Sequence, residues 1–466
     1  MTDKNNFESS PSNGTRRTLI KDLHEHVGKE VTINGVVNVA RQQGKMAFFD
    51  FRDRTSIIQG VVFGKPEVLE VAKGIGAEYS VSVSGIVNQR PEKMVNVDVQ
   101  NGDIELEITG IEVLNASEAL PFDMEDDFSI ETVLDNRPLT LRRPHDRAIF
   151  KVQAEIVRAY GEFLRAEGFT EFQAPKLVGG DAEGGAEVFK VEYFKDRTAY
   201  LATSPQLYKE VMVGVYERVF SFATAFRAEK SATSRHLSEY TSLDMEMGFI
   251  KDHTDVMRVE TALMKHIVQH LQEHAADALA TLKVELPAIP EGDIFPCMKL
   301  SEALELIKEK TGEDKTGAPD LEPEDERWLC EYAKEELDSD FIFITHYPVS
   351  KRPFYTYEDE NDPGFTKSFD LLFRGVEITT GGQRVHDINV MKEKIKAKGL
   401  DPESFSFYLQ AFKYGIPPHG GWGMGLERLT AKFCGVKNVK EATLFPRDIN
   451  RIDTLLSADA DTSETE

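Results

Sequence analysis

The chain has 466 residues, of which 80 are acidic and 55 basic, so its formal net charge at pH 7 is −25. This length exceeds what one compact core usually serves, and we expect two or three domains. No apolar run is long enough to span a bilayer, and the polar N-terminus lacks the apolar core of a signal peptide. The net negative charge, taken alone, argues against binding nucleic acid.

The three cysteines are far apart and show neither CxxC nor Cys/His spacing. This pattern argues against structural zinc and for a reducing compartment, so we predict a cytoplasmic protein with no membrane partner.

Residues from about 17 to 115 contain short alternating segments separated by turn residues, which predicts a small β-barrel. In one segment Phe48 shares a face with Asp50 and Arg52, opposite Phe49. An aromatic ring on the polar face can stack on an unpaired base, but Phe48 fits equally well as a second-layer core residue.

Residues 116–143 combine prolines with basic residues, which indicates a hinge rather than a regular element. Apolar residues then recur at helical spacing from Val152 to Leu164, and Gly168 ends this predicted amphipathic helix. The next segment, TEFQAPKLV, reads as a strand that carries Pro175.

The most informative stretch runs from Phe222 to Phe249 and reads as strand, polar loop, strand. The first strand is predicted to end with Arg227 and Glu229 on one face. In the second strand Asp244 and Glu246 point the same way. Charge along an inner face is costly unless it is paired or used, which favours a binding site over a salt-bridged surface hairpin. The opposite, apolar face consists of Leu243, Met245, Met247 and Phe249.

Two segments before this hairpin offer polar groups to a ligand. Glu183 precedes a glycine pair, which allows a ligand to approach closely, although a tight turn is the simpler interpretation. Ser204 and Pro205 start a predicted helix that carries Gln206 and Lys209 on one face.

A later hairpin brings two carboxylates together if Arg374 and Gly375 form its two-residue turn. Leu372 then lies opposite Glu377, so Asp370 and Glu377 become diagonal neighbours on one face. Two close carboxylates repel each other unless a cation separates them, and Mg²⁺ suits carboxylates combined with substrate phosphates. One surface acid and one acid at the edge of the core is the alternative, and the better one on the pattern alone.

Near the C-terminus a glycine-rich strand leads into a helix with Leu426, Leu429 and Phe433 on its apolar side. The GWGMG run fits neither the Rossmann nor the P-loop pattern.

Residues from about 287 to 340 form a predicted helical insertion, rich in Glu and Lys, with no recognisable chemistry.

These segments together resemble the aspartyl-tRNA synthetases of class II (IIb), in the archaeal and eukaryotic type of architecture. FRAE…RHLSEYTSLDMEM fits motif 2 without gaps, the helix-strand-proline unit resembles motif 1, and GMGLER matches motif 3. The resemblance implies an α+β fold, with an N-terminal OB-fold β-barrel plus a class II catalytic domain built on an antiparallel β-sheet flanked by helices. The implied segments are a disordered tail (1–16), an OB-fold anticodon-binding domain (17–115), a hinge (116–143), a catalytic domain (144–453, insertion about 287–340) and an acidic tail (454–466).

The implied activity is that of an aspartate–tRNA ligase, with ATP, L-aspartate and tRNA(Asp) as substrates, Mg²⁺ as cofactor and a homodimer as the assembly. Aspartate is activated to aspartyl-adenylate and then transferred to the 3′-hydroxyl of the terminal adenosine. The attacking α-carboxylate is already ionised at neutral pH, so positioning and charge neutralisation must dominate the first step. Charging of tRNA(Asn) stays open.

The resemblance also assigns roles to residues of the catalytic domain. Catalysis is assigned to Arg227, His236 and Arg428, metal binding to Asp370 and Glu377, and the dimer interface to Pro175, with Arg352 a candidate active-site contact. ATP binding is assigned to Arg227, Glu229, Arg235, His236, Leu237, Tyr240, Glu377, Gly425 and Arg428. Aspartate binding is assigned to Glu183, Gln206, Lys209, Asp244, Thr380, Gln383 and Arg384.

In the barrel the implied anticodon site consists of Phe48, Gln59, Glu105, Arg41 and Arg90. Phe48 would stack on the central anticodon uridine, Gln59 and Glu105 would hydrogen-bond its edge, and the two arginines would lie near the anticodon backbone. Two positions depart from the family pattern: Val36 stands where tryptophan is frequent, and Glu427 where many aspartyl enzymes have aspartate.

Three rival functions stay in view. An asparaginyl-tRNA synthetase is disfavoured by Lys209, because aspartyl enzymes use this lysine for the substrate's side-chain carboxylate and asparaginyl enzymes usually lack it. An amide-forming asparagine synthetase would lack the barrel. A non-catalytic RNA-binding protein with a decayed core is disfavoured by the intact Arg227 and Arg428.

Overall fold

The computed structural model describes residues 17–97, 99–180, 187–231, 233–454 and 456. The chain divides into two compact units between Asp126 and Asp127. Within the described ranges, none of the helices combines the length and the apolar character that a membrane crossing requires.

The first unit is a closed barrel, as predicted, with its strands in the order β1-β2-β3-β5-β4. In β2 the side chains of Phe49 and Phe51 are buried in the barrel core, whereas Phe48 and Asp50 on the other face are half-buried. The elements are β1 (Glu30–Gln43), β2 (Met46–Arg52), β3 (Ile57–Phe63), α1 (Pro66–Ala72), β4 (Ser80–Gln89) and β5 (Ile104–Asn115), preceded by a 3-10 helix at Ile20–His26.

The second unit combines helices with two sheets. Its helices are α2 (Ile130–Asp135), α3 (Arg137–Thr140), α4 (Pro144–Ala166), α5 (Gln206–Tyr216), α6 (His253–His274), α7 (Ala276–Leu282), α8 (Leu300–Thr311), α9 (Pro323–Glu336), α10 (Ile388–Ala397), α11 (Ser406–Lys413) and α12 (Leu426–Phe433). Its strands are β6 (Thr170–Glu171), β7 (Leu177–Val178), β8 (Lys190–Tyr193), β9 (Arg197–Leu201), β10 (Arg218–Phe226), β11 (Glu239–Gly248), β12 (Cys297–Lys299), β13 (Phe341–Thr345), β14 (Ser368–Phe373), β15 (Val376–Gln383) and β16 (His419–Gly425).

The large sheet has the order β12-β13-β14-β15-β16-β11-β10-β6, and a small sheet has the order β7-β9-β8. Pairing in the large sheet is antiparallel from β13 to β10, with parallel strands at both edges. One face of this sheet carries apolar residues such as Leu243, Met245 and Trp422, which pack with α4 and α6 into a continuous core. The other face carries the polar residues and is free to form a site.

The central hairpin is confirmed, with two differences at its ends. Strand β10 ends at Phe226, so Arg227 and Glu229 lie just beyond the strand rather than on one of its faces. Strand β11 ends at Gly248, and Phe249 has a positive φ of 58° and is 72% exposed. The prediction that Phe249 continues the apolar face is therefore wrong, because the strand has ended and the backbone bends at this residue.

Two other segments differ from prediction. Part of the expected hinge forms α2 and α3, and Arg137 of α3 is buried, where it donates to Asp146 and to the carbonyl groups of Glu441 and Thr443. The expected continuous strand TEFQAPKLV is two short strands in different sheets, with Pro175 exposed between them. A proline removes a ladder hydrogen bond, which explains the break.

The hairpin of β14 and β15 turns at Arg374 and Gly375, which have φ angles of 47° and 80°. Positive φ at both positions is the signature of the two-residue turn that fits strand twist. Leu372 therefore pairs with Glu377, as predicted.

Candidate active site

A cavity of about 360 Å³ lies on the polar face of the large sheet. Its lining includes every residue predicted for ATP binding, namely Arg227, Glu229, Arg235, His236, Leu237, Tyr240, Glu377, Gly425 and Arg428. Of the residues predicted for aspartate binding, Gln206, Asp244, Thr380 and Arg384 line it. Lys209, Gln383 and the metal candidate Asp370 are buried and do not line the cavity, and Glu183 lies outside the described residues.

Arg227 is held at the rim of the central hairpin. Its backbone N–H donates to the carbonyl of Ser238 at 2.9 Å, which extends the pairing of β10 and β11 by one residue. Its guanidinium carbon lies 5.6 Å from the centre of the Tyr240 ring, and a cation above a ring face is attracted by the ring quadrupole. The cavity therefore presents a cation beside an aromatic surface.

The polar loop of the central hairpin is anchored to distant elements. Arg235 Nη1 donates to Glu326 Oε2 at 2.8 Å, and Nη2 donates to the carbonyl of Gly375 at 3.1 Å. Burial raises the pKa of Glu326, and Arg235 opposes this rise. Glu326 belongs to α9, so the insertion for which no chemistry was predicted supports a site residue. His236 Nδ1 lies 2.7 Å from Thr233 Oγ1.

Arg428 of α12 contacts Glu377 of β15. Arg428 Nη1 donates to the backbone carbonyl of Glu377 at 3.2 Å and lies 3.7 Å from its Oε1. Thr380 Oγ1 donates to the same Oε1 at 2.9 Å. The Arg428 and Glu377 side chains are about one-third exposed, so water screens this ion pair and a more highly charged ligand can compete for the arginine.

Asp370 meets the requirements for a metal ligand beside Glu377. Arg352 Nη2 donates to its Oδ2 at 2.8 Å, whereas its buried Oδ1 has no hydrogen-bond partner among the described residues. Burial raises the pKa of Asp370 to about 6, with Arg352 opposing and Glu377 adding to the rise. A buried, unpartnered carboxylate oxygen next to a second carboxylate fits a divalent cation.

No group of three or more His, Cys, Asp and Glu side chains is arranged to hold a metal ion anywhere in the part of the chain that the structure describes. A pair of carboxylates without a third protein ligand suits Mg²⁺, which takes its other ligands from water and substrate phosphates.

Four charged side chains form a buried cluster, and two of them, Asp244 and Arg384, line the cavity. Lys209 Nζ donates to Asp244 Oδ1 and to the Trp422 carbonyl, both at 2.7 Å, and lies 3.6 Å from Glu246 Oε2. Arg384 Nε donates to Glu246 Oε1 at 3.0 Å. Burial alone would lower the pKa of Arg384, but the neighbouring Glu246 raises it above its usual value. The two cations balance the two carboxylates, as buried charge requires.

This packing depends on Gly421 of β16. A Cβ atom at this position would come within 2.1 Å of the Met245 carbonyl and 2.4 Å of Glu246 Oε2. The glycine-rich run of β16 therefore leaves room for charged groups, rather than for phosphates as in a P-loop.

Two residues of the site received no role in the sequence analysis. Glu210 accepts hydrogen bonds from Gln206 Nε2 and Tyr408 Oη, both at 2.6 Å, and so orients Gln206. Glu427, flagged only as a departure from the family, accepts from the Thr241 backbone N–H at 3.0 Å, and burial raises its pKa to about 7. Glu210 directly follows Lys209 in α5, but its function depends on α11, which no local pattern reveals.

The predicted anticodon residues of the first unit also come together. Arg41 pairs with Phe48 in the β1–β2 register, and Arg90 Nη2 donates to Gln59 Oε1 at 2.6 Å. Arg90 Nε lies 3.4 Å from Glu105 Oε2. Phe48 is only half-buried while its neighbours fill the barrel core, which favours the interpretation of Phe48 as a stacking surface.

Comparison with known proteins decides the family. Residues 129–449 match the tRNA synthetases class II (D, K and N), and residues 31–114 match the OB-fold nucleic acid binding domain. The chain belongs to the class II tRNA synthetases. The predicted family and the predicted fold class are thereby confirmed.

The names of the proteins similar to this class II synthetase include aspartate in some cases and asparagine in others. The chain is 44% identical over 445 residues to an aspartate–tRNA(Asp/Asn) ligase from Deinococcus radiodurans, covering 94% of this chain and 98% of that protein. It is 40% identical over 443 residues to an aspartate–tRNA(Asp) ligase from Thermoplasma volcanium, covering 94% and 99%. The solved structure of asparaginyl-tRNA synthetase from Pyrococcus horikoshii with asparaginyl-adenylate is similar, with a TM-score of 0.86, 34% identity and coverage of 94% and 99%.

Proposed function

We propose that this synthetase is an aspartate–tRNA ligase that activates L-aspartate with ATP and transfers it to tRNA(Asp). The observation that carries the proposal is the convergence of Arg227, Arg235 and Arg428 on one cavity that also contains Arg384. A site lined by cations suits a triphosphate and a dicarboxylic amino acid, both anionic.

In the first step the aspartate α-carboxylate attacks the α-phosphorus of ATP, and pyrophosphate leaves. Arg227 holds the α-phosphate as it becomes pentacoordinate, while Arg235, His236 and Arg428 hold the outer phosphates. Tyr240 stacks on the adenine and Glu229 contacts its amino group. These groups position the reactants and neutralise charge, and none of them transfers a proton.

Asp370 and Glu377 would hold Mg²⁺, which would supply charge neutralisation to the phosphates when bound. The unpartnered Oδ1 of Asp370 supports this assignment. Arg352 donates to the other oxygen and so fixes the orientation of the carboxylate.

Selection of aspartate rests on the buried charged cluster. Arg384 pairs bidentately with the substrate β-carboxylate, and Lys209 adds positive charge to the same pocket. The ammonium group is ordered by Asp244, whose buried Oδ2 has no hydrogen-bond partner among the described residues, and by Glu183. Gln206, Thr380 and Gln383 complete the aspartate pocket.

In the second step the 3′-hydroxyl of the terminal adenosine attacks the carbonyl carbon of aspartyl-adenylate, the bond between that carbon and the phosphate oxygen breaks, and AMP leaves. The barrel reads the anticodon, with Phe48 stacked on the central uridine and Gln59 and Glu105 at its edge. A homodimer forms through the α4 segment and the exposed Pro175. The cysteines Cys297, Cys330 and Cys434 are free thiols, which supports a cytoplasmic location.

Charging of purified tRNA(Asp) and tRNA(Asn) with labelled aspartate tests this function. We expect aspartyl-tRNA(Asp) to form in the presence of ATP and Mg²⁺, and the tRNA(Asn) reaction establishes whether the enzyme discriminates between the two. Failure to aspartylate tRNA(Asp) under conditions where asparagine is charged would contradict the proposal.

A further inference from the structure

The polar face of β2 holds a carboxylate that was not assigned any function. Asp50 lies opposite Gln59 in the β2–β3 register, and it shares its face with Phe48 two residues earlier. Arg41 Nη2 lies 3.6 Å from Asp50 Oδ2. Asp50 therefore sits inside the group of residues that surrounds Phe48.

The orientation of the Gln59 amide follows from hydrogen-bond chemistry. Arg90 Nη2 lies 2.6 Å from Gln59 Oε1, and a guanidinium can only donate, so the amide oxygen must face Arg90. The amide NH₂ group then faces away from Arg90. Asp50 lies directly opposite Gln59 in the β2–β3 register, and its ionised carboxylate can only accept a hydrogen bond. A donor on one side and an acceptor on the other leave a single orientation.

Arg90 is poorly placed to bind a phosphate. Its side chain is 10% exposed, and besides Gln59 it contacts Glu105 Oε2 at 3.4 Å and donates to the Gly102 carbonyl at 3.3 Å. A largely buried guanidinium held by two hydrogen bonds and an ion pair acts on its protein neighbours rather than on a backbone phosphate.

We propose that Asp50 and Arg90 are positioning residues that lock the Gln59 amide, so that its remaining N–H is presented to the base stacked on Phe48. An N–H donor at that edge accepts a pyrimidine with a carbonyl group at the 4-position and rejects one with an amino group there, because two donors would face each other. The lock thus selects uracil over cytosine. This inference rests on the anticodon role given to the barrel in the proposed function.

The test compares charging of tRNA(Asp) transcripts that carry uridine or cytidine at the central anticodon position, measured as the ratio of the two kcat/KM values. Asp50→Asn offers Gln59 either a donor or an acceptor, so we expect the preference for uridine to fall by roughly tenfold. Gln59→Glu removes the donor altogether, and we expect the preference to be lost.

Glu112→Gln serves as the matched control, because it removes one negative charge from an exposed position on β5 of the same barrel. A loss of charge or partial unfolding changes the kcat/KM values of both transcripts alike. Only a Gln59 amide that is free to turn changes the ratio of the two kcat/KM values. An unchanged ratio in Asp50→Asn or in Gln59→Glu would overturn the inference. Failure of the unmodified protein to charge the uridine transcript would instead contradict the proposed function.

Discussion

Lys209 Nζ lies 2.7 Å from Asp244 Oδ1, and the two side chains are 0% and 2% exposed, so a buried ion pair joins helix α5 to strand β11. The same ammonium group lies 3.6 Å from Glu246. One lysine therefore faces two carboxylates on the polar face of β11. Glu246 also pairs with Arg384, so removal of the lysine would leave Asp244 without a cation in an environment where unpaired charge is costly.

Replacement of this lysine should affect both selectivity and stability. We predict that Lys209→Leu abolishes the selection of aspartate over asparagine and destabilises the second unit by about 3–5 kcal/mol. Amino-acid-dependent pyrophosphate exchange measures the first effect, and urea unfolding followed by tryptophan fluorescence measures the second. Lys334→Leu, at an exposed position on α9, is the control. A folded Lys209→Leu enzyme with unchanged selectivity would exclude the assigned contact.

Loss of the α-phosphate contact should slow adenylate formation. We predict that Arg227→Ala raises the activation free energy of this step by about 3 kcal/mol or more, which is the size of a lost electrostatic contact in a transition state. Single-turnover formation of aspartyl-adenylate is the measurement. Arg218→Ala, at the other end of β10, should leave the rate near that of the unmodified enzyme. Equal rates in the two variants would refute the role of Arg227.

The metal assignment predicts a shift in Mg²⁺ dependence. Glu377→Gln keeps the shape of a side chain that is about one-third exposed but removes one ligand charge. The Mg²⁺ concentration for half-maximal exchange should therefore rise at least about tenfold, since changes even to groups that only hydrogen-bond a metal ligand cost about 10–100-fold. Glu360→Gln, an exposed acid outside the cavity, should not change it. If both variants respond to Mg²⁺ as the unmodified enzyme does, the metal is bound elsewhere.

A buried carboxyl group on α6 predicts a pH dependence of stability. Glu260 is fully buried, and burial raises its pKa from 4.5 to about 8, with Thr379 opposing and Asp370 adding to the rise. The folded protein binds the Glu260 proton more tightly than the unfolded chain does. The contribution of Glu260 to the free energy of unfolding is therefore fully present below the unfolded pKa and is lost as the pH rises through about 8.

Glu260→Gln should therefore flatten the decline and leave the second unit more stable than the unmodified protein at alkaline pH. Thermal unfolding followed by tryptophan fluorescence between about pH 5 and about pH 9 measures this, because both tryptophans, Trp328 and Trp422, lie in the second unit. Glu273→Gln, exposed on the same helix, is the control. A parallel pH profile in Glu260→Gln and the unmodified protein would show that Glu260 is not the titrating group.

Local pattern was enough for much of the fold and for one piece of the site geometry. The two-residue turn at Arg374 and Gly375 fixed the pairing of Leu372 with Glu377, as expected. A β-bulge between Leu371 and Leu372 then shifts the register so that Asp370 pairs with Thr380, but its carboxylate stays close enough to Glu377 for the two charges to repel. The same reasoning overextended β11 to Phe249, because a positive φ at a bulky residue is not visible in a period of two.

Contacts between distant segments could not be predicted in this way. Arg235 pairs with Glu326, 91 positions later, and Lys209 donates to the carbonyl of Trp422, 213 positions later. Asp50 was visible in the sequence as a polar neighbour of Phe48, but its place beside the Gln59 amide depends on the pairing of β2 with β3. Such partners are set by tertiary packing, which cannot be read from the spacing of residues or from composition.

The most direct test of the central claim is ATP–pyrophosphate exchange by the purified full-length protein, with aspartate and asparagine compared at equal concentrations. A cavity lined by Arg384, with the buried Lys209 adding positive charge nearby, should support exchange with aspartate and little with the neutral amide. Exchange that is equal with both amino acids, or faster with asparagine, would contradict the account.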